Sequence, residues 1–332
     1  MVKTRVEHRG GVCWKGLYSC DLEDILSCQV QAKTSNPCLQ MPIQGIEAFR
    51  REVILALYAD NTLLQQLVLK GGNLLDVVYG ISKRPSRDID FSICGDVEDQ
   101  ARFRSTIENA LRKWFEPKGF VVFDVNLVEE PLAITEEFRD FWGGYKIDFK
   151  IIDAGTYEKY AGDEHKLRVA ARTVVDKDGK RFPIDVSKHE YIGDKATEII
   201  DDLVVYVYSP QMLVAEKMRA ICQQMPEYTR FLKKCANPRG RDFLDIHTVA
   251  EHFRVDCGDL RFHDILEKVF QAKRVDLGLL SKIGDEETRE YHRPDFVSIA
   301  PTIRPGFELQ DYEFYYDYVV EKCRMLEPLW NI

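Results

Sequence analysis

The sequence of 332 residues lacks any apolar run close to the roughly 20 residues that a membrane-spanning helix requires. Its first 16 residues carry charges throughout and contain no apolar segment of signal-peptide length. These two absences argue against a membrane protein and against secretion. They predict a cytoplasmic protein that has no membrane partner.

Closely spaced cysteine pairs are also missing. The nine cysteines include no Cys-x-x-Cys pair, and the first four are 7, 8 and 10 residues apart. A structural zinc site usually takes two ligands from one tight turn, and an odd number of cysteines does not fit a disulfide framework. Free thiols in a reducing compartment are therefore expected, and a zinc site in the first forty residues is the minor alternative.

A positive net charge is absent as well. The sequence contains 46 basic and 55 acidic residues, which gives a formal net charge of −9. A protein that coats nucleic acid with its whole surface would be basic. Any positive charge that serves RNA or nucleotides must therefore be local. Residues 217–241 contain seven Lys and Arg residues and a single acidic residue, Glu227. Such a run is also typical of an ordinary solvated face.

Hydrophobic periodicity divides the chain into three parts. Residues 1–42 show no sustained period and are predicted to form an irregular N-terminal extension. Helical and strand patterns alternate over residues 43–205, whereas helical patterns dominate residues 206–332. Ser209-Pro210 is a strong helix start, with Ser as the cap and Pro at the first helical position. The sequence thus predicts an α+β protein, in which an α/β domain precedes a helical C-terminal domain.

The segment between residues 157 and 195 has a mixed pattern. Strands are expected near residues 169–175 and near residues 182–186. No candidate site residue is assigned to this segment.

Two acidic residues, Asp88 and Asp90, lie two positions apart in the alternating run Asp-Ile-Asp-Phe-Ser-Ile. Side chains of a strand alternate between faces, so both acids project one way while Ile89 and Phe91 project into the core. Neighbouring carboxylates repel each other unless a cation lies between them. Mg²⁺ prefers hard oxygen ligands and bridges carboxylates and substrate phosphates. A metal site is therefore predicted at Asp88 and Asp90.

Asp148 repeats this geometry on another predicted strand, where Lys146, Asp148 and Lys150 share one face. If that strand lies beside the strand of Asp88 and Asp90, three carboxylates converge. Three carboxylates suit a two-metal phosphoryl-transfer centre. The alternative is that all three are ordinary polar-face residues, and Asp124 is assigned to that class.

A glycine pair, Gly71-Gly72, follows the buried run Leu67-Val68-Leu69 and precedes a helical segment that begins near Leu74. Backbone N–H groups at such a turn point toward a phosphate, and glycine lets the backbone approach closely because it has no Cβ. The pattern predicts a phosphate-binding turn, although a simple tight turn would have the same sequence.

Two quoted stretches resemble the AbiEii/AbiGii-type nucleotidyltransferase toxins of the polymerase-β-like superfamily. They are Leu69-Lys70-Gly71-Gly72-Asn73-Leu74-Leu75 and Arg84-Pro85-Ser86-Arg87-Asp88-Ile89-Asp90-Phe91. The family pattern is Gly-Gly or Gly-Ser followed by Arg-x-Ser-x-Asp-x-Asp. Asn73 departs from it, since the family often has Thr or Ser there, although an amide can also bind a phosphate.

The second half of the chain carries two more stretches similar to family motifs. Glu216-Lys217-Met218-Arg219 is similar to a family helix whose Lys contacts nucleotide phosphates, and Arg239-Gly240-Arg241-Asp242-Phe243-Leu244-Asp245 resembles the family's Arg-Asp-x-x-Asp motif. Lys217 points toward the apolar side of its helix, where it needs an anionic partner. Arg219 lies about 200° away, where it either binds nucleotide or is solvated. Helix capping is the alternative role of Asp242. The resemblance covers roughly residues 45–255.

The resemblance implies a mixed-sheet, polymerase-β-like nucleotidyltransferase domain and a reaction that transfers NMP from an NTP to a hydroxyl acceptor. It implies Mg²⁺, with Mn²⁺ as the substitute. The implied metal ligands are Asp88, Asp90 and Asp148, joined in catalysis by Lys217 and Asp245. The implied nucleotide-binding residues are Gly71, Gly72, Asn73, Lys217, Arg219 and Asp242.

The resemblance also implies the toxin of a toxin–antitoxin or phage-defence system, with a separately encoded antitoxin and the 3′ end of tRNA as acceptor. Two alternatives stay open. One is transfer to a small molecule or a protein hydroxyl, and the other is a non-catalytic module that binds nucleotide.

Overall fold

A seven-stranded mixed sheet lies at the centre of the described chain, in the strand order β3-β4-β5-β2-β1-β7-β6. The structure is a computed structural model that describes residues 45–86, 88–173 and 179–330. The predicted extension 1–42 lies outside these residues. The strands are β1 Val68–Lys70, β2 Ile89–Ser92, β3 Phe120–Glu130, β4 Gly144–Asp153, β5 Phe182–Ser187, β6 Ala196–Ile200 and β7 Leu203–Val207.

The pairing around β2 decides which residues meet at the centre of the sheet. β2 pairs antiparallel with β1, where Lys70 lies opposite Asp90, and parallel with β5, where Asp185 lies opposite Asp90. β5 then pairs antiparallel with β4, and β4 pairs antiparallel with β3. On the other side, β1 pairs parallel with β7, which pairs antiparallel with β6. The expectation of a mixed sheet is confirmed.

Helices precede, interrupt and follow the strands. The α-helices are α1 Ile46–Tyr58, α2 Asn61–Gln66, α3 Gly71–Asn73, α4 Gln100–Phe115, α5 Glu136–Arg139, α6 Ala154–Lys159, α7 Glu164–Ala170, α8 Pro210–Cys222, α9 Pro226–Leu232, α10 Gly240–Phe253, α11 Leu260–Ala272, α12 Glu286–Ile299 and α13 Tyr312–Arg324. A π-helical turn, Leu74–Val78, continues α3. Shorter 3₁₀ segments are Glu116–Lys118, Leu277–Gly284, Ala300–Thr302 and Glu327–Leu329.

Local sequence signals account for several helix starts. The Asp99 side chain accepts a hydrogen bond from the Arg102 amide at the start of α4, and the Ser209 hydroxyl accepts one from the Met212 amide at the start of α8. Such caps satisfy amides that have no partner within the helix. The buried residues of α4 recur at helical spacing and pack the helix against β3 and α1.

The expected strand near residues 169–175 is wrong in its described part. Val169 and Ala170 belong to α7, which the Asp163 side chain caps by accepting a hydrogen bond from the Lys166 amide. The expected strand near residues 182–186 is confirmed as β5. Capping at Asp163 favours a helix over the strand that the short apolar run suggested.

Within the helical second half, α8 contacts both α10 and α11. Residues 42–332 form one compact unit. The predicted division between residues 205 and 206 falls within β7. In the part of the chain that the structure describes, no helix is both long and apolar enough to cross a membrane.

One tyrosine hydroxyl joins α1 to two strands. Tyr58 is 1% exposed, and its hydroxyl accepts a hydrogen bond from the Leu69 amide at 2.9 Å and donates one to the Tyr206 carbonyl. Leu69 is the β1 residue that pairs with β7. A single buried hydroxyl therefore bridges the backbones of β1 and β7 and helps to fix their register.

Replacing Tyr58 by Phe should lower the free energy of unfolding by about 1–3 kcal/mol, because the Leu69 amide loses a buried partner. Urea denaturation followed by circular dichroism measures the change. Tyr206→Phe is the control, since that hydroxyl has no hydrogen bond to the described residues, and it should change stability by less than about 0.5 kcal/mol. Equal stability of Tyr58→Phe and the unaltered protein would contradict this role.

Candidate active site

Three carboxylates lie at the junction of β2 and β5. Asp90 and Asp185 are direct neighbours in the parallel pairing of these strands, and Asp88 immediately precedes β2. Asp90 is half-buried, while Asp88 is exposed. The flanking apolar residues, Ile89 and Phe91, are fully buried. Alternation along β2 therefore places its acids on the opposite side from the core, as predicted.

These carboxylates carry uncompensated negative charge. None of the residues that the structure describes donates a hydrogen bond to the carboxylate of Asp90 or Asp185. Burial raises the pKa of Asp90 to about 7, Asp185 and Asp88 add to the rise, and Lys70 opposes it. Burial also raises the pKa of Asp185, and repulsion from Asp88 adds to it. The cluster is electrostatically suited to a cation.

Asp185 was missed by sequence reasoning. Its signal was present, since Ile184-Asp185-Val186 alternates in the same way as Ile89-Asp90-Phe91 and occupies a predicted strand. Both flanking residues, Ile184 and Val186, are buried. What the sequence did not reveal was which strand lies next to β2.

Asp148 occupies a different position from the expected one. Its strand, β4, was expected to lie beside β2, and this adjacency is wrong because β5 lies between them. Asp148 is opposite Pro183 on one side and Asn126 on the other, and its carboxylate forms an ion pair with Arg181. Because β5 separates the two strands, Asp185 holds the place beside Asp90.

Asp124 belongs to the same outer group of charges as Asp148. Its carboxylate forms ion pairs with Lys150 at 2.6 Å and with Arg181 at 3.0 Å. These contacts agree with its assignment to ordinary polar-face residues.

The glycine turn lies directly against the acidic cluster. Gly71 has a φ of +70°, and a Cβ at this position would lie 2.3 Å from Oδ2 of Asp90. A Cβ on Gly72 would lie 2.7 Å from the Cβ of Ser86. Two glycines are therefore needed for the turn to pass this close to Asp90 and to the loop of residues 80–86.

Asn73 connects the turn to the acidic strand. Its side-chain amide is fully buried and donates a hydrogen bond to the backbone carbonyl of Asp88 at 2.5 Å. Its Oδ1 atom is buried and has no hydrogen-bond partner in the described part of the chain. Asn73 thus fixes the position of Asp88, and its predicted phosphate contact stays a prediction.

Lys70 supplies the nearest positive charge to the cluster. Its Nζ donates to Oγ of Ser187 at 3.0 Å and lies 3.4 Å from Glu190 and 3.8 Å from Glu216. Lys70 therefore connects the acidic cluster, whose Asp90 lies opposite it on β2, with a deeper ion network.

The deeper network is centred on Glu190, which is 5% exposed. Arg219 contacts it at 2.8 Å, and Lys273 lies 3.6 Å away. Burial alone would raise the pKa of Glu190, but its cationic partners, Arg219 first among them, hold that pKa well below the usual range. Arg219, predicted to bind nucleotide, is therefore buried and bound to Glu190 instead of being solvated.

Lys217 lies at a second buried ion cluster. Its ammonium group contacts Asp242 at 2.9 Å and Asp245 at 2.7 Å, and Arg84 contacts Asp245 at 2.8 Å. This confirms that Lys217 points inward and has anionic partners. Burial opposes ionisation of Asp242, but Lys217 and then Arg239 outweigh it and hold the pKa of Asp242 at about 2. Arg84 was quoted in a motif, but no role was derived for it.

Two buried polar atoms of this second cluster have no hydrogen-bond partner among the described residues, namely Nε of Arg84 and Oδ2 of Asp242. Buried polar groups in folded proteins are nearly always hydrogen-bonded to protein, water or ligand. An unmet donor and an unmet acceptor beside Lys217 are compatible with a site that receives a polar ligand.

The chemistry of the residues fits a hard divalent cation. Asp88, Asp90 and Asp185 provide carboxylate oxygens, which Mg²⁺ and Mn²⁺ accept. The raised pKa of Asp90 shows that its negative charge is poorly compensated by protein alone. In the described ranges, no three His, Cys, Asp or Glu side chains are already grouped as a metal-binding set. The donors fit, and ion binding would require their side chains to turn toward one another.

Comparison with known proteins places these features in context. The model of a family described as "Nucleotidyl transferase AbiEii toxin, Type IV TA system" matches residues 54–318. No curated protein matches the chain.

Two solved Helicobacter pylori structures are similar in backbone. They are JHP933 and a protein described as an inferred nucleotidyltransferase, each with 14% identity and a TM-score of 0.44. Each match covers 86% of this chain, together with 91% of JHP933 and 95% of the second protein.

Replacing Gly71 by Ala should destabilise the protein more than replacing Gly80 by Ala. Both glycines have positive φ, but a Cβ at Gly80 meets nothing within 4 Å, whereas one at Gly71 meets Asp90. The shared φ cost is about 1 kcal/mol, and crowding typically adds 1–3 kcal/mol at Gly71. Urea denaturation of the two variants measures the difference, and equal losses would show that the turn can move away from Asp90.

Proposed function

Because this chain belongs to the AbiEii nucleotidyltransferase toxin family, we propose that it transfers a nucleotidyl group from an NTP to a hydroxyl acceptor. The observation that carries this proposal is the pairing of Asp90 with Asp185 directly beside the Gly71 turn. A phosphate-binding turn in contact with paired carboxylates is suited to phosphoryl transfer. Two neighbouring carboxylates would be unfavourable in a strand pair with a purely structural role, because like charges opposite each other destabilise the pair.

The triphosphate would lie between the glycine turn and Lys217. An ammonium group has three donors, and Lys217 uses two of them on Asp242 and Asp245. The third can donate to a phosphate oxygen, while Asp242 and Asp245 fix the direction of the group. Gly71 and Gly72 leave the backbone free to approach the phosphates.

Asp88, Asp90 and Asp185 would hold Mg²⁺ or Mn²⁺, which supplies charge neutralisation at the transferring phosphate when bound. In the reaction, the acceptor oxygen forms a bond to the α-phosphorus while the bond to the β-phosphate bridging oxygen breaks, and pyrophosphate leaves. Asp185 takes the proton of the acceptor hydroxyl. Asp185 suits this role because the parallel pairing of β2 and β5 places it directly beside Asp90.

Family membership supports a toxin with a separately encoded antitoxin and a role in a toxin–antitoxin or phage-defence system. We extend the proposal to the 3′ end of an RNA, such as tRNA, as the acceptor. The basic residues flanking the second cluster, Arg239 and Arg241, are 39% and 45% exposed in their side chains and can reach phosphates. A small molecule or protein hydroxyl is the alternative acceptor, and a non-catalytic nucleotide-binding module is the second candidate function.

Asp185→Asn and Asp148→Asn test the two assignments of the third carboxylate. With Asp185 in that role, Asp185→Asn should reduce transfer at least about 100-fold, because a group that stabilises transferring charge is lost. Asp148→Asn should stay within about threefold of the unaltered protein, since its partner is Arg181. The assay incubates protein, Mg²⁺ and each α-³²P-labelled NTP with total cellular RNA and follows label entering RNA. A large loss of transfer in Asp148→Asn with little loss in Asp185→Asn would instead assign the role of third carboxylate to Asp148.

Salt dependence tests the RNA acceptor. Replacing counterions on phosphates makes RNA affinity fall steeply with salt, so KM for the RNA should rise at least tenfold between 50 and 200 mM KCl if about three or more phosphates are contacted. KM for the NTP, which is measured in parallel as the control, should change less. A KM for the acceptor that is independent of salt would favour a small molecule as the acceptor.

A further inference from the structure

The helix that carries Asp242 and Asp245 is capped by another helix. The first turn of α10 receives no side-chain cap from Arg239, its own N-cap residue. The Arg239 amide donates instead to Nδ1 of His292 at 2.8 Å, and the Arg241 amide donates to Oδ2 of Asp295 at 3.2 Å. Both acceptors belong to α12, so α12 supplies the partners that helix starts require.

The contact between these helices is close. A Cβ on Gly240 would lie 2.4 Å from the Phe296 amide nitrogen and 2.5 Å from the His292 carbonyl oxygen. His292 is 1% exposed, and its ring lies 5.7 Å from that of Phe243. Burial lowers the pKa of His292 to about 4, so the ring is neutral at pH 7 and its Nδ1 can accept the hydrogen bond. The position of α12 thus sets the position of Asp242.

The chain that follows α12 reaches the other half of the site. The Arg304 amide donates to the Lys83 carbonyl at 2.9 Å, and its guanidinium donates to Asp76 at 2.6 Å. Asp76 lies in the π-helical turn that continues from the Gly71 turn. Lys83 also lies over the ring of Phe307 at 5.1 Å. Residues 304–307 therefore hold the loop of residues 80–86, which contains Arg84.

The two sets of contacts converge on one ion pair. Arg84 belongs to the loop that Arg304 holds, and its partner Asp245 belongs to the helix that His292 caps. Asp245 is in turn a partner of Lys217. We propose that residues 292–304 form a brace that fixes the two halves of the triphosphate site at their working distance, with His292 and Arg304 as its positioning residues.

This inference rests on the proposed function, because it assigns the brace to NTP binding. A loosened brace should weaken the preorganised contacts of Lys217 and Arg84 without removing any group that touches the reacting atoms. Preorganisation contributes to affinity by lowering the cost of ordering the site. The expected change is therefore mainly in the dissociation constant and KM for NTP, with a smaller change in kcat.

The test compares two substitutions of His292 that separate hydrogen bonding from packing. His292→Phe keeps a ring against Phe243 but leaves the part-buried Arg239 amide without an acceptor. His292→Asn loses the ring but places an amide oxygen where Nδ1 lies. Arg304→Gln removes the guanidinium group that binds Asp76. Arg293→Gln is the matched control, because Arg293 lies on α12 and pairs with Glu290 and Glu313, away from the site.

NTP binding is measured by calorimetry, and KM and kcat by label transfer, at a temperature where every variant is folded by circular dichroism. His292→Phe and Arg304→Gln should each raise the dissociation constant about tenfold, as expected when one positioning hydrogen bond is lost. His292→Asn should stay within about threefold, and Arg293→Gln should match the unaltered protein. Unchanged binding in His292→Phe and Arg304→Gln, or an equal loss of binding in Arg293→Gln, would overturn the brace proposal but leave the proposed function standing. Absence of NTP binding by the unaltered protein would overturn the proposed function and the brace together.

Discussion

The parallel pairing of β2 with β5 is the constraint on which the candidate site depends. It places Asp90 and Asp185 side by side, an arrangement that like charges disfavour. The pKa of Asp90 is accordingly raised to about 7, by burial first and by its acidic neighbours second. Among the described residues, no interaction gained on folding fully offsets this repulsion. A cation that bound both carboxylates, together with a phosphate, would offset it.

Around this centre, buried side chains form two groups of ion pairs. Lys70, Glu190, Arg219 and Lys273 form one of them, and Lys217, Asp242, Asp245 and Arg84 form the other. Removing one member of a buried ion group leaves an unpaired charge, which typically costs 3–5 kcal/mol. Such groups are rigid for that reason. They can hold the glycine turn and the lysine of α8 in fixed positions.

The C-terminal segment supports this arrangement from outside. His292 satisfies an amide of α10, and Arg304 binds the loop that carries Arg84. Such support matters because small displacements of positioned groups reduce their effect strongly.

The sequence by itself determined the local elements and the chemical types. Alternation predicted the strand of Asp88 and Asp90, a strand was expected near residues 182–186, the Ser209-Pro210 pair predicted the start of α8, and the motifs pointed to the Gly71 turn and Lys217. Only the tertiary structure decided which strands are neighbours, so it placed Asp185 instead of Asp148 beside Asp90 and buried Arg219 against Glu190. The physical reason is that periodicity fixes the face on which a side chain lies, whereas strand order and helix docking depend on contacts between residues far apart in the chain.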